Sequence, residues 1–237
     1  MEKIISDKGR QLKNIIKNLQ NSFSFPIDFP NINKKTLRYY KCNEVYEYGL
    51  DFFDNISNCL TELLNYLNEN TSVNVSITYR LKTEVSFKMK WEKNLSFGRK
   101  FYKACNDMLG VRFIINCSED ELIEKLKMFS EDKECLVINF YEREKTKDDG
   151  YRGIHVYFRY NRNCFPVEFQ FWTRKDAVLH FYTHEVIYKS KNSINSWEYS
   201  KKLRKWLDNI PKAPDELEID YINYLYGILN KDGGNDA

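Results

Sequence analysis

The chain has 237 residues, of which 42% are hydrophobic and 30% charged, with a formal net charge of +3. This apolar content is too high for a disordered chain, and no apolar run approaches the roughly 20 residues of a membrane-spanning helix. The first residues lack the apolar core of a signal peptide, so we expect a cytoplasmic protein without a membrane partner. The six cysteines show no Cys-x-x-Cys spacing, which argues against a zinc or redox site.

The order of hydrophobic patterns predicts helices first, then a sheet with one crossover helix, then helices again. Helices are predicted over residues 2–21 and 45–67, from 86 onward, and over 175–188, 197–208 and 214–230. Another helix is predicted directly after Ser118, which is its N-cap and has Glu121 three residues on, as in a capping box. Strands are predicted over residues 73–79, 109–117, 135–141, 153–160 and 166–173. We therefore predict an α/β (α+β) fold, with a mixed central sheet of about five strands flanked by helices. Its parts are a helical N-terminal extension (1–72), a core (73–190), and C-terminal helices with a loose tail (191–237).

Two acidic residues lie in or directly before predicted strands that are otherwise mostly apolar. Asp107 directly precedes an apolar strand, and alternation places Glu168 and Gln170 on the face opposite Val167 and Phe169. An acid on an otherwise apolar strand is costly unless it is paired or functional. Two carboxylates from neighbouring strands are a natural Mg²⁺ site. The alternative is that Glu168 pairs with a nearby arginine or lysine.

A group of cations lies between the first strand and the helix after it. Arg80 and Lys82 are two apart at the end of a strand, and Ser86 and Lys90 are four apart on the following helix. Cations at the mouth of a sheet suit a polyphosphate. The alternative is a solvated charged segment.

The segment from Lys147 to His155 contains two glycines and enters a strand. Alternation places Tyr151, Gly153 and His155 on one face, where the tyrosine could stack on a base at about 1–3 kcal/mol. An ordinary turn is the alternative.

His180 and His184 are spaced i, i+4 on a helix, but the His-Glu-x-x-His form is absent, so a structural or substrate-positioning role is favoured over metal binding.

In this order, the motifs resemble the synthetase domain of the RelA/SpoT alarmone synthetases, and most closely a small stand-alone member of the toxic branch. The resemblance covers roughly residues 75–190 and makes the predicted core a RelA/SpoT-like pyrophosphokinase core. The segments that carry it are Arg80-Leu-Lys82-Thr-Glu-Val-Ser86-Phe-Lys-Met-Lys90, Asp107-Met-Leu-Gly110-Val-Arg112, Gly150-Tyr151-Arg152-Gly153-Ile154-His155, Val167-Glu168-Phe-Gln170-Phe-Trp172-Thr173, and His184 with Tyr188-Lys189.

The resemblance implies transfer of the β,γ-pyrophosphate of ATP to a ribose 3′-hydroxyl, with AMP as the leaving group and Mg²⁺ as the cofactor. Asp107 and Glu168 would hold the metal, and both would act in catalysis together with Tyr151. The implied ATP-binding residues are Arg80, Lys82, Ser86, Lys90 and Arg112. The implied acceptor-binding residues are Lys147, Tyr151, His155, Gln170 and His184.

Three departures from the family pattern concern the acceptor. Asp148 and Asp149 stand where alarmone makers have Pro-Asn, Trp172 replaces an arginine, and Thr183 replaces a glutamate. Two acids beside the stacking tyrosine would repel the 5′-phosphates of GDP or GTP. The toxic branch instead modifies the 3′ CCA end of tRNA, an acceptor that brings no 5′-polyphosphate.

We therefore favour the tRNA 3′ end as acceptor, which would make the protein the translation-inhibiting toxin of a toxin–antitoxin pair with a possible antitoxin partner. The alternative is (p)ppGpp synthesis from GDP or GTP, and a remoter one is a catalytically dead module that binds nucleotide or RNA. A tRNA backbone requires cations outside the core. The candidate contacts are Lys34, Lys35, Arg38, Lys201, Lys202, Arg204 and Lys205. The alternative for either patch is the solvated face of an ordinary helix.

Overall fold

The computed structural model describes residues 2–55, 61–63, 65, 66, 69, 75–142, 150–160, 162–182, 198 and 201–205, without the side chains of residues 2–10, 55 and 182. These residues fall into two compact units. The first holds the described residues up to 141 together with 153–172, and the second holds the described parts of 142–152 and of 173–237. These units divide the chain at places other than 72 and 190, so the predicted domain boundaries stay a prediction. The predicted helix at 214–230 and the tail lie outside the described residues.

The helices of the first unit follow the sequence pattern closely. They are α1 (Glu2–Asn21), a 3₁₀ turn (Leu37–Tyr39), α2 (Cys42–Asn55), α3 (Glu84–Ser96), α4 (Phe101–Ala104) and α5 (Glu119–Ser130). Helix α3 begins two residues earlier than predicted because Thr83 serves as its N-cap, with Ser86 N donating to Thr83 Oγ1 at 3.4 Å. Of the helices of the described residues, none has both the length and the apolar character to cross a membrane.

The sheet contains β1 (Val75–Leu81), β2 (Leu109–Ile115), β3 (Cys135–Asn139), β4 (Ile154–Phe158) and β5 (Val167–Thr173). Within the described residues its order is β1-β2-β5-β4-β3, and the β1/β2, β3/β4 and β4/β5 pairs are antiparallel. Gly110 lies beside Glu168, and Arg112 bonds to Gln170, so β2 and β5 run in the same direction. The sheet is therefore mixed, with helices around it, and the predicted fold class is confirmed.

Aromatic rings from distant parts of the chain fill the core of the first unit. Phe25 contacts Phe165 at 4.8 Å and Phe101 at 5.9 Å between ring centroids, and Phe25 N donates to Asn163 O at 2.7 Å. Phe113 stacks on Phe171 at 4.7 Å on the apolar face of the sheet. The segment after α1 thus packs in the same unit as the sheet, and the opposite face of the sheet is left for polar residues.

The second unit contains α6 (Arg174–Tyr182), and residues 198 and 201–205 are also helical. Thr173 caps α6, because Asp176 N donates to Thr173 Oγ1 at 3.2 Å and the Thr173 hydroxyl donates to Asp176 Oδ2 at 2.7 Å. The α6 range confirms the start of the helix predicted at 175–188, and its predicted end lies outside the described residues.

The capping box of α5 is a local feature that the sequence alone predicts. Glu121 N donates to Ser118 Oγ at 3.2 Å, and Ser118 N donates to Glu121 Oε2 at 2.9 Å. We expect Ser118→Ala to lower the free energy of unfolding by about 1 kcal/mol, because Glu121 N loses its hydrogen-bond acceptor and the reciprocal bond from Ser118 N to the Glu121 side chain loses its support. Urea unfolding measures this loss. The control is Ser130→Ala at the exposed end of the same helix, and an equal effect of both substitutions would contradict the role of the box.

Candidate functional site

The polar face of the sheet is organised by strand register. Residues directly opposite each other on neighbouring strands point to the same face, so the register aligns two rows of side chains across four strands. The rows are Arg80, Gly110, Glu168 and Tyr157, and Thr78, Arg112, Gln170 and His155. Alternation along β5 therefore places Glu168 and Gln170 together, as predicted, with Phe169 on the core face.

Asp107 lies two residues before β2 and accepts bonds from the cations that follow β1. Lys82 Nζ donates to Asp107 Oδ2 at 2.8 Å, Lys90 Nζ donates to Oδ1 at 2.9 Å, and Arg80 Nη2 lies 3.9 Å from Oδ2. Burial of this carboxyl, which is only 6% exposed, would raise its pKa. The charges and hydrogen bonds of Lys90 and Lys82 outweigh burial, so the pKa of Asp107 lies below its ordinary value.

Three members of the predicted cation group contact the same acid, Asp107, whereas Ser86 bonds elsewhere. Lys90 also donates to Asn106 Oδ1 at 2.6 Å, a residue that the sequence reading passed over because it lies outside the motif. Ser86 lies in the first turn of α3, where its hydroxyl accepts from Thr83 Oγ1 at 3.0 Å. Arg80, Lys82 and Lys90 thus contact Asp107, whereas the described bonds of Ser86 belong to the helix cap.

Glu168 is the most deeply buried acid of the sheet face, at 3% exposed. His155 Nδ1 lies 3.2 Å from Glu168 Oε1, and Gln170 Nε2 donates to Oε2 at 2.9 Å. Burial raises the pKa of Glu168. The hydrogen bond and charge of His155, together with a hydrogen bond from Tyr157, lower the pKa by more than burial raises it, so the pKa lies below its ordinary value. Glu168 therefore pairs with His155, a partner that neither the metal site nor the alternative interpretation named.

Tyr157 is a site residue that the sequence analysis missed. Its hydroxyl lies 3.2 Å from His155 Nδ1 and bonds Glu168, which is directly opposite it on β5. The signal was available, because Tyr157 is two residues after His155 on a strand and so shares its face. A motif comparison does not include this position, and the tyrosine was overlooked for that reason.

Arg112 is held by neighbours on β5. Its Nε and Nη2 each donate to Gln170 Oε1 at 3.2 Å, and its guanidinium carbon lies 4.1 Å from the ring centroid of Trp172. This packing gives a cation–π contact. Trp172 thus has a specific partner at the position where the sequence departs from the family pattern.

A small cleft of about 70 Å³ opens on this face. It is lined by Thr78, Tyr79, Arg80, Gly110, Arg112 and Gln170. A β-carbon at position 110 would lie 3.6 Å from both Arg80 and the Glu168 carboxylate, an ordinary contact distance, so Gly110 lies beside both side chains. Of the cation group, Arg80 lines this cleft, together with Gln170, which donates to Glu168.

In the second unit, Tyr151 stacks on His180, with 4.2 Å between ring centroids and 27° between the ring planes. Lys147 and His184 lie outside the described residues. The expected common face of Tyr151, Gly153 and His155 is wrong in its premise, because β4 begins only at Ile154 and Gly153 has φ of 147°. Regular alternation does not reach residue 151. A β-carbon at Gly153 would lie 2.7 Å from Trp172 Cδ1, which favours glycine there.

The candidate RNA contacts separate into two groups. Lys34, Lys35 and Arg38 are exposed, and an isolated bridge between Thr36 and Lys100 brings exposed cations of a second segment beside them. We call this set the basic surface; it comprises Lys34, Lys35, Arg38, Arg99, Lys100 and Lys103. Lys201, Lys202 and Lys205 are exposed, but Arg204 is buried and bonded within its own unit, so its predicted role as a backbone contact is wrong.

The two buried carboxylates of this site fit a magnesium ion that takes its other ligands from a bound nucleotide. Among the described residues no group of three or more metal-ligating side chains exists, but Mg²⁺ commonly uses one or two carboxylates and completes its shell with phosphates and water. The charge of Asp107 raises the pKa of Glu168, so the two carboxylates repel each other at this site. A divalent cation would relieve that repulsion, and Asp107 and Glu168 are the residues that could hold it.

Comparison with known proteins finds a family model that matches part of this chain. Residues 79–193 match the family model described as "Region found in RelA / SpoT proteins". A comparison with curated protein sequences finds no match. The matched region begins within β1 and includes β2 to β5 with the motifs of the polar face, and this similarity supports a pyrophosphokinase of the RelA/SpoT synthetase type.

Solved structures of similar chains include a GTP pyrophosphokinase family protein from Streptococcus pneumoniae, 18% identical, with a TM-score of 0.44 over 71% of this chain and 95% of that one. Small alarmone synthetase 1 from Bacillus subtilis is 16% identical, with a TM-score of 0.47 over 80% and 99% of the two chains. The same protein bound to its product pppGpp is 18% identical, with a TM-score of 0.42 over 70% and 95%.

The lowered pKa of Asp107 makes its ion pairs sensitive to acid. A carboxyl whose pKa is lower in the folded state than in the unfolded state stabilises the fold at pH values above its unfolded-state pKa, about 3.9 for aspartate. This stabilisation is lost as the pH falls through the folded-state pKa. We expect the free energy of unfolding of the wild type to fall between pH 5 and pH 2 by about 1.4 kcal/mol per unit of pKa difference. This slope should be smaller in Asp107→Asn.

The measurement is urea unfolding across that pH range, with Asp28→Asn as control because Asp28 is an exposed aspartate. Equal slopes for the wild type and Asp107→Asn would show that the Lys82 and Lys90 contacts do not perturb this carboxyl.

Proposed function

We propose that this protein moves the β,γ-pyrophosphate of ATP onto the ribose 3′-hydroxyl of a tRNA 3′ CCA end and releases AMP. The observation that carries the transfer chemistry is the contact of Asp107 with Lys82 and Lys90, beside a second buried acid, Glu168. Positioned cations next to two carboxylates suit a reaction that depends on alignment and charge neutralisation.

The cations after β1 are the donor side of this proposal. Arg80 is 44% exposed in its side chain and lines the cleft, so its guanidinium can lie against the adenine. Lys82 and Lys90 bring positive charge to the same point from a strand end and from a helix, which fits a triphosphate. Arg112 would add a planar cation from the neighbouring strand, and Ser86 would contribute from the first turn of α3.

Glu168 is the proton acceptor in this proposal. Its lowered pKa keeps it ionised near neutral pH, so it can take the proton of the 3′-hydroxyl. The 3′-oxygen then bonds to the β-phosphorus, the bond from that phosphorus to the α,β-bridging oxygen breaks, and AMP leaves with that oxygen. His155 and Gln170 hold the two oxygens of Glu168 in place. Bound Mg²⁺ would neutralise phosphate charge during the transfer.

The acceptor assignment follows from charge. Asp148 and Asp149 directly precede Gly150 and Tyr151, and two acids there disfavour a nucleotide with 5′-phosphates. An RNA 3′ end places its terminal base on the tyrosine without such a group. The basic surface joins two segments about 60 residues apart in sequence, each with an aromatic side chain beside its cations, and this composition suits an RNA backbone.

A protein that blocks the tRNA 3′ end would stop translation. We therefore propose a toxin that acts in the cytoplasm, where ATP and tRNA are present, and that is restrained by an antitoxin protein. A (p)ppGpp synthetase remains the second candidate, because the donor half of the site serves either acceptor equally well.

One experiment separates these candidates. The purified protein is incubated with γ-labelled ATP and Mg²⁺ in the presence of deacylated tRNA, GDP or GTP, and the labelled product is identified. We expect label at the tRNA 3′ end together with AMP in equal amount. Label in ppGpp or pppGpp without labelled tRNA would establish the alarmone synthetase instead, and AMP release without any labelled acceptor would contradict transfer.

Removal of either acid should abolish transfer. We expect Asp107→Asn and Glu168→Gln to lower the single-turnover rate by roughly 10³-fold or more, which corresponds to about 4 kcal/mol of transition-state stabilisation. Asp28→Asn and Glu124→Gln make the same chemical changes at exposed positions and serve as controls. Near wild-type rates in either test variant, with an intact fold by circular dichroism, would remove that acid from the reaction.

Charge reversal on the helical residues should weaken tRNA binding. We expect Lys201→Glu, Lys202→Glu and Lys205→Glu together to reduce the slope of log K against log salt by about 2–3, because fewer counterions are released, while the KM for ATP stays unchanged. Lys125→Glu, Lys127→Glu and Lys133→Glu give the same change in net charge around α5 as a control. An equal effect of both sets would indicate a general charge effect and no contact at Lys201, Lys202 or Lys205.

A further inference from the structure

Arg204 differs from the other cations of its helical turn because its side chain is buried. Lys201, Lys202 and Lys205 are exposed, whereas Arg204 is 7% exposed. Its Nε donates to Gly150 O at 2.8 Å, and its Nη2 forms a short ion pair with Asp176 Oδ1. Burying a guanidinium is costly unless it is paired and hydrogen-bonded, so these two partners account for its position.

Asp176 is itself fixed. It is fully buried, and its second oxygen accepts from Thr173 Oγ1 at 2.7 Å at the start of α6. Arg204 therefore connects an anchored carboxylate on α6 to the backbone carbonyl of Gly150. The planar guanidinium offers several N–H groups in a fixed arrangement, which a lysine ammonium cannot reproduce.

The backbone on the other side of Tyr151 is held as well. His180 Nε2 lies 2.6 Å from Arg152 O, which can only accept, so this nitrogen carries the proton. The same imidazole stacks on the Tyr151 ring. The carbonyls of residues 150 and 152 are thus each bonded to a side chain, and the ring between them is packed against α6. Gly150 has φ of 75°, a conformation that suits glycine.

We propose that Arg204 is a positioning residue for the acceptor, which holds the segment from Gly150 to Arg152 so that Tyr151 presents its ring in one orientation. This inference rests on the proposed function, which assigns acceptor stacking to Tyr151. A ring that is already fixed loses less conformational freedom when a base stacks on it, so the effect falls on acceptor binding. The proposed ATP-binding residues belong to the other compact unit, so we expect ATP binding not to depend on Arg204.

The test compares Arg204→Met with Arg162→Met, which makes the same substitution at an exposed position outside the site. For the acceptor that the wild type labels, Arg204→Met should raise the KM by roughly tenfold or more, the loss expected for a charged hydrogen bond. The KM for ATP should stay within about twofold in both variants, as for independent sites. Arg204→Lys should retain the charge and recover only part of the acceptor affinity, and Asp176→Asn, which keeps the shape of its side chain, should shift the acceptor KM in the same direction.

A double-mutant cycle separates positioning from general destabilisation. In a Tyr151→Ala background the ring is gone, so Arg204→Met should change the acceptor KM by less than about twofold. A full tenfold effect in that background, or a parallel rise in the KM for ATP, would overturn the proposal.

Hydrogen exchange of the substrate-free protein tests the contact without any turnover. Amides of residues 150–153 should exchange faster in Arg204→Met than in the wild type and in Arg162→Met. Unchanged exchange would overturn the proposal even if the wild type labels tRNA. If the wild type labels no acceptor, the proposed function fails and the positioning role fails with it, whereas the exchange data still show whether Arg204 holds the segment.

Discussion

The ion pairs of Asp107 are the interaction on which the polar half of this structure depends. An ionised carboxylate at 6% exposure is tolerated only where opposite charges compensate for the lost water, and here Lys82 and Lys90 do so from two different elements. This pairing fixes the end of β1 and the axis of α3 against the start of β2. The cations and the acid of the proposed donor site are therefore placed by the same contacts that join these elements.

The pattern within single elements was sufficient to predict much of this arrangement. Alternation along β5 gives the common face of Glu168 and Gln170, and the capping box gives the start of α5. The spacing of Arg80 and Lys82 likewise gives their common side. These features depend on residues that are near in sequence, where the period of a strand or a helix decides which side chains meet. The roles of these residues in binding and catalysis stay predictions.

Features that depend on which strands and segments become neighbours were not predictable in this way. The contact of Tyr157 with Glu168 requires the β4/β5 register, and the basic surface requires the bridge between Thr36 and Lys100. Arg204 is part of a run of cations that sequence alone indicates as solvated, yet its partners are about 30 and 50 residues earlier in the chain. Long-range pairing of this kind is set by the packing of the whole unit, and no local period contains it.

The lysines that stabilise Asp107 remain able to bind a substrate. Each ammonium group has three N–H donors, and the described hydrogen bonds use one donor of Lys82 and two of Lys90. A triphosphate could therefore accept from these lysines while Asp107 keeps its contacts, so substrate binding need not break the pairing that holds β1 and α3. The fold and the proposed chemistry would use the same ammonium groups, so a substitution at Lys82 or Lys90 should alter both together.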